Sequence, residues 1–238
     1  IHPDGALPTG KNQNKLIHVD ARRAFYDSLP ARLHIPGFVK AERDRNFDDE
    51  RMRSAGIRLL YPAISPLPGG VKAGILLEAG FDQVAPNRPC LISSWAYDAA
   101  MESGLTDVTD NRAIDVPCYE PGYTFVEKLQ TISTKFRRHL ETGEMPANFL
   151  RHYYDVYCLL EDSGVQAFIG TDAYVAHKEA RFPAADEQVI ERNEAFLISD
   201  PKTRSSFEAA YRATSALYYR EQPTLTVILE RLSADLQR

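Results

Sequence analysis

The stretch Thr124–Leu160, TFVEKLQTISTKFRRHLETGEMPANFLRHYYDVYCLL, decides how this chain is read. It divides into two helices joined by a short Gly/Pro loop. Thr124 followed by Glu127 predicts a capping box, in which the Thr hydroxyl accepts from a backbone N–H and the Glu side chain reaches back. Leu129, Ile132, Phe136 and Leu140 recur at helical spacing and predict one buried stripe. Lys128 and Lys135 are seven residues apart, so about two turns separate them and both ammonium groups project from nearly the same side. Gly143 and Pro146 stop this helix. Asn148 is the expected cap of the second, whose buried face is Phe149, Tyr153, Val156, Tyr157 and Leu160. Arg151 and Asp155 stand four apart and are therefore neighbours, with the cation N-terminal to the anion, the weaker order for helix stability.

Working outward, the C-terminal side is helical throughout. Thr171–Phe182 is a capped short helix, and Ala185–Ile198 a second amphipathic segment carrying Val189, Ile190, Phe196 and Leu197. Asp200-Pro201 starts a further helix reaching about Tyr219, because Pro suits the first helical position and Asp the cap before it. Pro223-Thr224 opens the last. On the N-terminal side strands dominate. Gly56–Ile64 and Val71–Phe81 form a hairpin across SPLPGG, where Gly69-Gly70 can take positive φ. Cys90–Trp95 and Arg112–Tyr119 are two more apolar runs, with a short helix and turn over Asp98–Thr109 between them. Lys15–Leu29 is a helix ended by Pro30, and the charged run Ala41–Ser54 reads as a solvated loop. The fold class is thus α+β, a mixed or antiparallel sheet followed by a helical bundle. The composition shift at Glu120-Pro121-Gly122 separates a strand-rich part, residues 1–120, from a helical domain, residues 121–238.

Composition narrows the function. The chain has 238 residues, 44% hydrophobic and 26% charged, enough to bury a proper core. No apolar run approaches the roughly 18 residues a membrane span needs. Cys90, Cys118 and Cys158 are odd in number and lack metal-site spacing, which predicts free thiols in a reducing cytoplasm. A net charge of −5 means that nucleic acid, if bound, meets a local basic patch rather than a global field. The chain opens on Ile1 with IHPDGALPTGKNQ, which reads like the exit of a strand into a loop. The expectation is that further residues precede it in the natural protein.

No Ser/His/Asp order, Gly-rich dinucleotide loop or metal-ligand cluster is visible. Asp107, Asp110 and Asp115 lack the central Gly and terminal Glu of a calcium loop. The chemical candidates are Glu78 on an otherwise apolar strand, the face carrying Lys128 and Lys135 with Arg137 and Arg138 beside it, and the Arg151/Asp155 pair. Each has a bland alternative: an outward residue on an edge strand, a solvated helix face, an ordinary surface ion pair. Together, a strand carboxylate and helix cations suit phosphoryl or nucleotidyl transfer, where carboxylates hold Mg²⁺ and cations neutralise a triphosphate.

At these residues the chain resembles the AbiEii/MenT-type nucleotidyltransferases, toxins of bacterial toxin–antitoxin systems within the polymerase-β-like superfamily. Glu127-Lys128-Leu129 with Lys135 matches the family's lysine helix. Arg151-His152-Tyr153-Tyr154-Asp155 matches its following R-D-x-x-D-type helix, with His152 where many relatives carry Asp. The resemblance covers roughly residues 1–182 and is strong only at 120–162. The family's GG/GS and D-x-D motifs have no counterpart here. The resemblance implies that Glu78 lies on the strand supplying a third carboxylate and ligates Mg²⁺ with residues not present in this chain. It implies that Lys128 contacts nucleotide phosphates and Asp155 orients the site, with Glu78, Lys128 and Asp155 catalytic. Lys135, Arg138 and Arg151 join Lys128 in binding nucleotide. NTP as substrate, a tRNA or other RNA acceptor, and an antitoxin protein are the implied partners. As given, the chain is expected to be inactive alone. The competing expectations are a non-catalytic module docking RNA or a partner protein, and a degenerate member that keeps the fold for its antitoxin.

Overall fold

The computed structural model describes residues 14–62, 72–81, 86–146, 149–215, 218 and 221–236. It comprises two compact units, residues 1–84 and 85–238. The first unit begins with α1 (Leu16–Arg32), which buries Val19, Arg22 and Tyr26, spaced one and two turns apart, while Leu16 stays exposed. The helix does not stop at Pro30. That proline falls in the last turn, where the single backbone bond it forfeits costs little before Arg32 ends the helix anyway. The Arg22 guanidinium donates to the carbonyls of Met52 (3.0 Å) and Arg51 (2.8 Å), and the Tyr26 hydroxyl to Arg53 (3.0 Å). These bonds tie α1 to the segment entering the sheet.

That sheet has the order β1-β2-β3, from β1 (Lys40–Asp44), β2 (Ser54–Leu60) and β3 (Ile75–Gly80), antiparallel throughout. Pairing β2 with β3 agrees with the expected hairpin; its turn, SPLPGG, lies outside the described residues, as do Ile1–Gln13. The charged run beginning at Ala41 is a correction: it supplies a strand and a helical turn, not a loop. Its charges neutralise one another. Arg43 meets both oxygens of Asp48 at 2.8 and 2.9 Å, and Arg58 grips Asp44 at 2.7 and 2.8 Å. Paired in this way, charges can line a half-buried sheet.

The second unit opens with β4 (Asn87–Ile92), α2 (Trp95–Glu102) and β5 (Ala113–Tyr119); β4 and β5 pair antiparallel with a bulge between Cys90 and Ile92. Thus these two strands form a sheet of their own and group with the helices. The composition shift at Glu120-Pro121-Gly122 falls inside this unit, where β5 passes into α3 (Pro121–Thr142). Pro121 occupies the first helical position, and Glu120 precedes it as cap. The expected capping box at Thr124 is therefore corrected: Thr124 lies within the first turn, its hydroxyl 3.5 Å from the Glu120 carbonyl. Phe125, Val126, Leu129, Ile132 and Phe136 form the buried stripe, but Leu140, in the last turn, is 60% exposed. Gly143 ends α3 at φ 73°, a left-handed cap that glycine adopts without strain.

Against this stripe pack α4 (Arg151–Leu159), α5 (Ser163–Phe168), α6 (Asp172–Arg181) and α7 (Glu194–Leu197). Asn148, the expected cap of α4, lies outside the described residues. Thr171 caps α6 as expected, its hydroxyl accepting from Tyr174 N–H. The continuous amphipathic helix expected over Ala185–Ile198 is replaced by a helical turn at Ile190–Arg192 and the short α7. Asn193 breaks it. Its side chain caps Ala195 N–H (2.9 Å) and donates to Ser133 on α3 (2.8 Å) and to the Glu187 carbonyl (2.7 Å). α8 (Pro201–Arg212) starts on the Asp200 cap as expected but ends well before Tyr219. α9 (Leu225–Leu236) closes the unit, burying Leu225, Ile228, Leu229, Leu232 and Leu236. Among the described residues no helix is long and apolar enough to cross a membrane.

Candidate functional site

The polar face of α3 turns Lys128 toward α4, and there its Nζ meets Asp155 Oδ2 at 2.7 Å. Sequence reading paired Asp155 with Arg151; instead the carboxylate reaches across to α3, and Arg151 stands exposed at the start of α4. The unfavourable order of that i,i+4 pair makes the inter-helix partner the better one. His152, one turn before Asp155, is buried, and its Nδ1 lies 3.5 Å from Asp155 Oδ2. That nitrogen makes no hydrogen bond of good geometry among the described residues.

Electrostatics bind these groups into one cluster. Burial alone would raise the Asp155 carboxyl, but His152 and Lys128 outweigh it and hold it below the usual carboxylate value. Burial lowers Lys135, and the neighbouring charges of Arg151, Lys128 and Arg138 lower it further. Burial likewise lowers His152, which keeps the imidazole neutral at physiological pH. Hence the charges of Lys128, Lys135, Arg138 and Arg151 act on one another, and Lys128 acts on His152 and Asp155, so these residues lie near one another along α3 and α4. Arg137 is different: it pairs with the fully buried Asp186 (2.6 Å) and with Glu141 (2.8 Å), so its work is structural.

Glu127 also departs from expectation. Rather than capping α3, it accepts from the Tyr119 hydroxyl at 2.9 Å and pairs with Arg181 at 2.7 Å, with His177 Nε2 at 3.5 Å. It fastens the end of β5 and the face of α6 to α3. Glu78 belongs to the first unit. It sits exposed on β3 opposite Gly56 of β2, in the same row as Asp44, on the sheet face away from Ile57 and Ala55. It needs no buried counter-charge there. Among the described residues no three His, Cys, Asp or Glu side chains stand close enough to hold a metal ion. The three cysteines are free thiols.

Sequence reasoning missed the burial of His152 and the role of Asn193. Both depend on what α3 presents from far along the chain, and neither residue type announces a partner some tens of residues away.

A bridge between a lysine on one helix and a carboxylate on the next is found in structural ties and in phosphate sites alike. Comparison with known families narrows this to nucleotidyltransferases: residues 18–236 match the family described as "Nucleotidyl transferase AbiEii toxin, Type IV TA system". The chain belongs to the AbiEii family. That description carries with it a nucleotide substrate and an antitoxin counterpart. No curated protein and no solved structure matches the chain.

Proposed function

We propose that the α3–α4 face is the phosphate-side wall of a nucleotidyltransferase site. The Lys128–Asp155 ion pair carries this reading, since it fixes one ammonium group close to the charges of Lys135, Arg138 and Arg151. In it Lys128 and Lys135 take the β- and γ-phosphates of an NTP, and Arg138 and Arg151 flank them. Asp155 holds the Lys128 ammonium in place. An acceptor hydroxyl, on an RNA 3′ end such as that of tRNA, attacks the α-phosphorus. Its oxygen forms the new P–O bond as the bond to the β-phosphate oxygen breaks, pyrophosphate leaves, and the hydroxyl proton passes to solvent. The cations then neutralise charge as it builds on the departing pyrophosphate.

Mg²⁺, which would supply charge neutralisation at the phosphates in nucleotidyl transfer, belongs to this reading by resemblance alone. The described residues do not by themselves make its site, and no step is assigned to it. NTP titration of the complete protein is the test. Lys128→Ala is expected to weaken NTP binding at least tenfold and Asp155→Asn to reduce transfer. An NTP affinity indifferent to Lys128→Ala would overturn the reading.

A further inference from the structure

Toward the start of α3, and beyond the end of α4, lies a cavity. Seven residues before Lys128 on α3 is Pro121; seven after Asp155 is Asp162, the cap of α5. Pro121 and Asp162 share the wall of a cavity of about 350 Å³. Seven residues is nearly two turns, so Pro121 stands on nearly the same side of α3 as Lys128, about 10 Å nearer the helix start.

Two of the cavity's lining residues, Tyr123 and Phe168, are aromatic. Tyr123 and Phe168 stand with ring centroids 4.8 Å apart, tilted by 33°, and His177 backs Tyr123 at 4.7 Å. A Cβ on the buried Gly122 would come within 2.6 Å of the Phe168 ring. Only glycine lets that ring lie directly on the first turn of α3. The pocket's charged groups are one cation and two carboxylates. Arg88 stands 3.8 Å from Glu120, and Asp162 Oδ1 accepts from the N–H groups of Gly164 and Val165. This balance disfavours phosphate. It suits a flat, neutral ring with N–H donors, because aromatic walls supply stacking and carboxylates accept from amino groups.

We propose that this cavity is a nucleobase pocket, holding a base whose phosphates run along α3 toward Lys128 and Lys135. The inference rests on the phosphate-side reading above and adds the site that recognises the base. The rise of about 10 Å along α3 from Pro121 to Lys128 is within the reach of one nucleotide. The base belongs either to the NTP or to the last residue of an RNA acceptor, and the two are separable by experiment.

Equilibrium titration of the full chain with each of the four NTPs, a short single-stranded RNA and inorganic tripolyphosphate tests it. Phe168→Leu is expected to weaken NTP binding about tenfold while tripolyphosphate binding stays unchanged, with Phe168→Tyr restoring the loss. If the selective loss falls on the RNA instead, the occupant is the acceptor base. If tripolyphosphate weakens in step with the nucleotides, or if neither NTP nor RNA responds, the pocket assignment is wrong. Tripolyphosphate binding that ignores Lys128→Ala is a different result: it overturns the lysine-face reading and leaves the selective Phe168 effect as the measure of the pocket.

Discussion

His152 shows most clearly how one side chain sets the character of the α3–α4 face. It is buried beside a carboxylate yet held neutral, because desolvation and the ammonium groups of Lys128 and Lys135 both oppose a second positive charge. Its proton affinity is lower folded than unfolded. As pH falls through about 6.5, the unfolded chain therefore takes up a proton that the folded chain resists, and stability is lost. The Asp155 carboxyl acts in the same direction at lower pH, its contribution being lost as pH falls from the ordinary carboxylate value, where the unfolded chain protonates, through its own depressed value. His152→Gln should accordingly flatten the decline in Tm between pH 6.5 and 5, with little change at pH 8; thermal melts across that range measure it. An equally steep decline in the variant would show that another group is responsible. None of this was legible in RHYYD, where the histidine stood out only as a substitution for an acidic residue.

Among the elements, α3 was the most legible because its apolar residues repeat with the helical period and glycine marks its end. Its start was misplaced. Thr124 and Glu127 satisfy the capping-box pattern, but Pro121 three residues earlier already fixes a helical φ, and Glu127 finds stronger partners in Tyr119 and Arg181. A local pattern yielded to tertiary partners invisible at that range. The Ala185–Ile198 segment failed for the same reason, since Asn193 serves Ser133 on α3 as well as its own turn. Removing that amide leaves a buried hydroxyl and a carbonyl short of a donor and uncaps α7. Asn193→Ala should cost about 1–3 kcal/mol. Urea unfolding should show a lower midpoint with an unchanged slope, whereas an unshifted midpoint would mean that the amide only fills space.

At the scale of the molecule, the two units differ in how much apolar surface they bury. The first relies on a small cluster, Val19, Tyr26, Met52 and Ala55, supported by Ile57, Leu59 and the edge-to-face contacts of Phe25 and Phe81. The second closes a long core from Phe125 through Leu236. Burial of apolar area sets local stability, so hydrogen exchange should find the amides of α3, α4 and α9 protected longest and those of β2 and β3 released earlier. Equal protection in both units would contradict this. The α+β class was readable from the chain because period-2 and period-3.6 runs segregate along it. The division after β3 was not, since β4 and β5 look like more of the same sheet, and only strand pairing assigns them elsewhere. The Lys128–Asp155 bridge, finally, has a consequence for ionic strength. With its ammonium already neutralised by an internal anion, Lys128 contributes little to any salt sensitivity of the proposed phosphate binding. That sensitivity falls to the solvent-facing guanidinium groups of Arg138 and Arg151, which added electrolyte screens.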